Sequence, residues 1–509
     1  MPQTILPFQL AAERSETRTT ARAGVLPLVE LCVATGLMRE ADQHVGLRRA
    51  GQGYTDGQFV LSLVLLNVLG GESMSDLDVL EADAGLCDIV REAERVGRRE
   101  KSRRAFDARF RGGRHRTLPS DTSVSRYLES FHDAAAEDER EPGAAYIPPP
   151  SAALEGLAKV NARMLAVMQE QRPSAVATLD IDATLLESHK REALFCYKGF
   201  SGYQPFNVYW AEQDVIVRSE FRDGNVPAGF QQTRVLQEAL HHLPKGVQTV
   251  RLRSDSAGYE AELLRYCAEG KSKRFGAIEF TVSADITKPL RAAVAELSDE
   301  DWKPLPQHVQ GEPFPSDHQW AEVCYVPNSL STMKNGPTYR FVVMREPLRQ
   351  LTLPGVEAED DKELPFPVVE EADGRRFKLS AIVTNRHDIP GEELIRWHRE
   401  RCGAAEAAHA VMKHDLAGGR VPSGKFGANA AWWAIMILAA NLVAILKHAV
   451  LRGRWAKARL KALRFGFFHV VGRLTTHARV TTCRVAEPFV ALFALARVRV
   501  AELARGPSP

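Results

Sequence analysis

The order of secondary-structure signals between residues 175 and 285 constrains this chain more than any other feature of its sequence. AVATLDIDATLL (175–186) has the apolar run of a buried strand and carries two aspartates near its end. PFNVYWAE (205–212) and DVIVRSEFR (214–222) read as two further strands, the second closed by the turn formers Asp223, Gly224 and Asn225. A helix (TRVLQEALHHL, 233–243), a strand (VQTVRLRSD, 247–255), a helix (AGYEAELLRYCAEG, 257–270) and a strand (RFGAIEFTVSAD, 274–285) follow. Three strands, helix, strand, helix, strand is the order expected of an α/β fold on a mixed sheet, of the kind nucleotidyl transferases use.

The flanks differ in texture. Residues 1–172 are expected to be helical, since GVLPLVELCVATGL (24–37), DGQFVLSLVLLNVL (56–69) and MSDLDVLEADAGL (74–86) place apolar residues at helical spacing between polar caps. A first core part covers 173–286. Residues 287–388 read as a β-rich insertion with Pro-rich loops and strands at 320–327, 339–346 and 376–385. Helical pattern resumes over 389–450, and 451–509 is expected to be a basic helical region. The 509 residues allow three or four structural units.

With 45% apolar and 26% charged residues, the chain is not mostly disordered. Its seven cysteines stand singly with no C-x-x-C, which argues against a disulfide scaffold or a zinc ribbon. The opening residues lack a basic stretch followed by an apolar one, so no signal peptide is expected, and the localisation expected is cytoplasmic. ANAAWWAIMILAANLVAIL (428–446) approaches the ~20 apolar residues that span a bilayer. Its Asn429, Asn441 and many alanines suit a helix packed inside a core, so no membrane partner is expected.

The formal charge is only +2, which excludes a uniformly basic coat protein. The charge is segregated, however. Residues 91–116 hold ten Arg and one Lys against four acids, a net of +7, and residues 447–509 hold thirteen bases against two acids, a net of +11. Acids cluster instead around 356–373. Basic patches attract phosphate backbones through counterion release, so nucleic acid is the expected partner.

Metal-assisted chemistry on phosphodiesters needs carboxylates gathered from separate elements. Asp180 and Asp182 sit at the end of the first strand, Asp255 ends the fourth, and Glu406 lies on the helix GEELIRWHRERCGAAEAAHAVMKHDL (391–416). Asp180 and Asp182 are two apart and share a face of the strand, so sheet geometry alone does not choose between them. The position of Asp182 where the chain leaves the strand favours it. Asp255 precedes the small residues Ser256, Ala257 and Gly258, and Glu406 is set among alanines, which leaves each room for substrate. Glu400 and Asp415 are rival acids on the last segment.

These segments together, TLDIDATLLESHKREALFCYKGFSGYQPFNVYW, FRDGNVPAG, LRSDSAGY and RWHRERCGAAEAAHAVMKHDLAGG, resemble DDE-type bacterial insertion-sequence transposases, and among them the insertion-sequence family numbered thirteen-eighty. The resemblance covers about 175–450, including the ANAAWWAIMILAAN helix. It implies a ribonuclease-H-like core interrupted before its last catalytic helix. Asp182, Asp255 and Glu406 would be the catalytic and metal-binding carboxylates. The cofactor would be Mg²⁺, with Mn²⁺ able to substitute. Related families place a Tyr, an Arg and a Lys around that Glu to contact the transposon end. Here Arg401 and Lys413 fill the Arg and Lys places, and Trp397 stands where Tyr is expected. The implied activity is cleavage of double-stranded DNA at terminal inverted repeats and transfer into target DNA, by a protein dimeric on DNA. A ribonuclease-H-like nuclease without strand transfer and a catalytically inert DNA-binding regulator are the rival readings. Neither a P-loop, which GRVPSGK (419–425) approaches but Phe426 spoils, nor a nucleotide-binding G-x-G-x-x-G after a strand is present.

Overall fold

The computed structural model describes residues 18–48, 53–96, 100–109, 116–141, 143–309, 312–331, 336–348, 366–370, 375–478 and 480–505. Parts of the basic stretch (97–99 and 110–115) and most of the acidic one (351–365 and 371–374) lie outside the described residues.

Helices α1 (Val25–Thr35), α2 (Asp56–Leu69) and α3 (Ala152–Gln171) precede the sheet. Every residue of α2 is buried, and its first turn is closed by a capping box in which Thr55 and Gln58 satisfy each other's backbone N–H groups. The central sheet then begins with β1 (Val176–Ala183), β2 (Phe206–Trp210) and β3 (Val215–Glu220). Helix α4 (Gln232–His242) leads to β4 (Thr249–Ser254), and α5 (Ala261–Ala268) leads to β5 (Glu279–Ala284). Across the sheet these strands lie in the order β3-β2-β1-β4-β5. β1, β4 and β5 are parallel neighbours, and β2 is antiparallel to β1 and β3. The helices fall where parallel neighbours need crossovers, and the antiparallel strands are joined directly.

Most strands beyond residue 302 continue this same sheet. β6 (Lys303–Pro304), β7 (Gln319–Val323) and β8 (Arg340–Pro347) are followed by the short β9 (Val368–Glu370) and by β10 (Arg376–Thr384). The sheet runs on as β5-β10-β8-β7-β6, with β9 also paired to β10. β10 meets β5 in antiparallel register, Ala381 opposite Ala284 and Thr384 opposite Thr281. An unpaired β5 would present an open row of backbone donors and acceptors, and β10 covers it.

Helix α6 (Gly391–Ala410) begins over the extension and ends over the first strands. Its Leu394 and Ile395 join a small core with Leu305, Trp320, Val342, Met344 and Ile382, while its body packs on β1, β4 and β5. α7 (Phe426–Ile445), the apolar helix, continues to Leu451 and is long and apolar enough to cross a membrane, yet most of it is buried inside the protein. It packs against α2, α3 and β3. Its Asn441 does the work of a missing strand partner: Oδ1 accepts from the Ile216 N–H (2.8 Å), and Nδ2 donates to the Ile216 carbonyl (2.9 Å) and Asn161 Oδ1 (2.7 Å). Asn429 donates to Tyr203 Oη and the Ser423 carbonyl.

The C-terminal region departs from the all-helical expectation. Gly472–His477 and Val480–Val485 form a hairpin that pairs with Arg18–Thr20, before α8 (Glu487–Arg505). RLTTH and VTTCRV are rich in β-branched residues, which fit a pleated surface better than a helix.

Candidate active site

The parallel register of β1 and β4 runs to Ile181 opposite Ser254, so Asp182 and Asp255 follow side by side at the carboxyl ends of two adjacent strands. Open α/β sheets collect their ligands at such ends. Asp255 leaves its strand at once and caps the short turn Ser256–Gly258, its Oδ1 accepting from the Ala257 N–H (3.1 Å). Glycine is required at 258, since a Cβ there would sit 2.4 Å from Ser254 Oγ.

α6 is fastened over these ends by two buried side chains. The His398 ring bonds Thr281 Oγ1 and Ser283 Oγ on β5, each at 3.0 Å, and burial next to three arginines drives its pKa to about 3, so it stays neutral. Arg253 of β4 donates to the Trp397 carbonyl (2.7 Å). The second half of α6 is thereby held above the strand ends, with Glu406 exposed to solvent.

The electrostatics show which acids face one another. The Asp182 carboxyl is pushed up to about 6, by burial first and by the charge of Asp255 next, with Glu406 adding to both and Arg401 opposing them. Arg401 is buried, and its Nε has no hydrogen-bond partner among the described residues. Lys413 sits half-buried on the π-helical turn Val411–Asp415 that ends α6, its pKa lowered by burial and by the nearby charge of Lys198. Asp182, Asp255, Glu406 and Arg401 are therefore within electrostatic reach of one another, and Lys413 lies two turns beyond Glu406.

Asp180 has a different fate. Its two oxygens accept from Arg253 Nε (2.6 Å) and Nη2 (2.9 Å), and the paired side chains are 0% and 3% exposed. This carboxylate is committed to a buried bidentate pair, a fact that alternation along the strand could not reveal. Glu400 reaches the same guanidinium at 3.3 Å. Asp415 lies near Lys461. Trp397 packs between Arg253 and Arg386, whose guanidinium carbons lie 5.5 and 4.9 Å from its ring centre. That packing engages Trp397 within the fold.

His409 escaped the sequence reading. Its Nδ1 lies 3.6 Å from Asp182 Oδ2, and its Nε2 lies 3.3 Å from Asn207 Nδ2. Asn207 stands opposite Asp182 in the β1/β2 register and accepts from Ser219 Oγ (2.6 Å), which accepts in turn from Trp433 Nε1 (2.7 Å). Burial, Lys413 and Arg401 lower the His409 pKa to about 4, so the ring is neutral at neutral pH. With Asn207 donating to Nε2, the proton sits on Nδ1 and faces Asp182. The available signal was its place three residues after Glu406, on the same side of the helix.

The acids suit a divalent cation by type, as hard oxygen donors, and by mutual repulsion, since Asp255 and Glu406 add to the effect of burial in raising the Asp182 pKa. Among the described residues no three His, Cys, Asp or Glu side chains are close enough to hold a metal as they stand.

A mixed sheet with acidic strand ends under an acid-bearing helix defines the class, an α/β enzyme core with a polar, carboxylate-lined site. The family is fixed by comparison: residues 8–505 match the model of the transposase DDE domain group 1, and the chain belongs to that family. It is a DNA transposase, a polynucleotidyl transferase and endonuclease of a family that works with divalent metal ions. Among solved structures, a cryo-EM structure of the piggyBac transposase synaptic complex with hairpin DNA is similar at a TM-score of 0.42 and 12% identity, over 97% of this chain and 85% of that one. No curated protein matches the sequence.

Proposed function

We propose that this chain is the transposase of an insertion sequence of the group numbered thirteen-eighty, with a ribonuclease-H-like core in which Asp182, Asp255 and Glu406 are the catalytic carboxylates. The observation that carries the assignment is the placement of Asp182 and Asp255 side by side at the ends of β1 and β4, with the charge of Glu406 also acting on Asp182. The ion they would hold is Mg²⁺, with Mn²⁺ able to replace it. Bound there, it would polarise the scissile phosphate and ease deprotonation of the attacking water.

The protein's own groups divide the remaining work. The carboxylates face the phosphodiester with their charge unneutralised, which keeps the site attractive to cations. Arg401, buried beside Asp182 with a free Nε, orients the first carboxylate or takes a phosphate oxygen. Neutral His409 holds its Nδ1 proton toward Asp182 Oδ2 and steadies that carboxylate. Lys413 and Lys198 receive the phosphates beyond the scissile bond. Water attacks phosphorus at the element end and the P–O3′ bond breaks; the freed 3′-hydroxyl then attacks a target phosphorus, and as the new P–O bond forms the target's own P–O3′ bond breaks and its 3′-oxygen leaves, taking up the proton.

The helical region 1–172, with its basic stretch 91–116, would recognise the terminal inverted repeats. Some of that charge is already met locally: Arg95 pairs with Asp107, Arg103 and Arg104 with Glu100, and Arg116 with Asp78. Two ends held together imply a dimer on DNA, acting at the bacterial nucleoid.

The test is cleavage of duplex DNA carrying the gene's own flanking sequence, with Mg²⁺ or with EDTA. Asp182→Ala, Asp255→Ala and Glu406→Ala should each abolish cutting and leave end binding intact. Full cutting by any one of them removes that residue from the set, and cutting without joining leaves a nuclease.

A further inference from the structure

Beyond the carboxylates, β1 and β2 do not stop. Past Asp182 their pairing continues outward through Thr184 N–H to the Pro205 carbonyl (2.9 Å), Leu186 opposite Tyr203, and Ser188 N–H to the Ser201 carbonyl (2.9 Å). Leu194–Phe195 then pairs on the other side of Ser201–Tyr203, which makes a small three-stranded sheet. Its tip is a tight turn, Cys196 to Gly199, closed by the Gly199 N–H on the Cys196 carbonyl (3.0 Å), with Gly199 at φ +85°. Lys190 Nζ ties the sheet to the Pro422 carbonyl (3.4 Å), just beyond the turn that carries Lys413.

The pattern of exposure at this tip is the reverse of what a solvent-facing hairpin needs. Ala193 and Cys196 are buried, whereas Phe195 at the end of its strand and Tyr197 in the turn are 69% and 76% exposed, so the face that the tip turns to solvent is aromatic. Such a face normally carries polar residues. Lys198 lies 5.9 Å from the Tyr197 ring centre, and its charge also acts on Lys413 at the end of α6. Six residues separate Ser201, opposite Phe195, from Asn207, opposite Asp182. At ~3.3 Å per residue the aromatic face lies within about 20 Å of the first carboxylate, roughly the width of a duplex laid across the site.

We propose that this hairpin is a base-stacking site, in which Tyr197 and Phe195 receive the face of an unpaired nucleobase at the DNA end while Lys198 and Lys413 hold the adjoining phosphates. The proposal rests on the transposase reading of the carboxylate site and adds the ligand of a neighbouring surface. A base inside a duplex has both faces covered by its neighbours, so a side-chain ring can take its face only where a base is unstacked, as at an opened or cut end. Aromatic rings interleaved with lysines are the means by which proteins hold such bases without regard to sequence. The lysines around the rings favour a polyanion over an apolar protein partner.

The test uses the full chain and two duplexes of the gene's own flanking sequence, one fully paired and one with three unpaired nucleotides at the element end, the last of them 5-iododeoxyuridine. Wild type should bind the unpaired end about 5- to 100-fold more tightly than the paired one, the range that base–aromatic stacking supports. Ultraviolet light should cross-link the iodinated base to Tyr197 or Phe195. The double variant Phe195→Ala/Tyr197→Ala should lose the preference and the cross-link while binding the paired duplex as before, and Tyr197→Trp should keep both. A preference retained by the double variant, or a cross-link mapped elsewhere, overturns the proposal and leaves the transposase reading standing. A double variant whose sedimentation shifts without DNA overturns it too, by making the hairpin a contact between copies of the chain. Wild type that binds neither duplex defeats the transposase reading as well.

Discussion

Replacing the first carboxylate with its neutral isostere should make the metal-free protein more stable while it destroys activity. Asp182 has its pKa lifted from 3.8 to about 6 by burial and by Asp255 and Glu406, with the side chain 24% exposed. A shift of about two units at 1.36 kcal/mol each is about 3 kcal/mol, an upper bound on what ionising this group costs the fold. The sign follows from linkage: the folded state binds the proton more tightly, so stability from this group is fully present below pH 3.8 and is lost as pH rises through about 6. Asp182→Asn removes the cost. Unfolding entropy of about 2.1 cal/mol/K per residue over 509 residues is about 1.1 kcal/mol/K, so the gain is at most about 3 °C in Tm for a chain unfolding as one unit. Thermal unfolding in EDTA, followed by circular dichroism at pH 7.5 and in steps down to 4.5, should show the variant above wild type at pH 7.5 and the two converging on acidification. A variant no more stable at pH 7.5, or a gain that ignores pH, would refute the reasoning that the acids strain one another.

The pair beneath behaves oppositely. Arg253→Met leaves Asp180 buried without a partner and should cost about 3–5 kcal/mol, seen as a Tm lowered by about 3–5 °C, with much of it restored in Asp180→Leu/Arg253→Met. Asn441→Leu strands the Ile216 N–H and Asn161 Oδ1, while the Ile216 carbonyl keeps the Asn161 donor, and should cost about 2–4 kcal/mol in the same measurement, although it makes the helix more apolar. A loss under 1 kcal/mol in either single variant would show that the site relaxes around the missing partner.

The element order of the core was legible because each strand is a compact apolar run and each crossover helix follows a turn former, all within about a hundred residues. The side-by-side placement of Asp182 and Asp255 follows from that order and one register. The choice between Asp180 and Asp182 needed Arg253, a residue of another strand whose side chain points at one acid and not at the other. His409 and Asn207 were invisible for a similar reason, since neither is remarkable alone and their meaning lies in a contact between residues 202 positions apart. The terminal hairpin was missed because the helical texture of the flanks outweighed two short Thr- and Val-rich runs. That the strands after 302 extend the core sheet could not be read from spacing, which gives the presence of strands and not their partners.

That extension sets the order in which a working enzyme comes into being. Asp182 and Asp255 are 73 residues apart and meet through neighbouring parallel strands. Glu406 arrives 151 residues later, on a helix whose first turns rest on β7, β8 and β10. β10 must close back onto β5 across about a hundred residues before that helix has a floor, and such distant pairings form slowly. On the proposed assignment, a chain still emerging from the ribosome would hold two acids of three and should not cut. Competence to break DNA would then come late, when the helix bearing Glu406 settles over a sheet that is already whole.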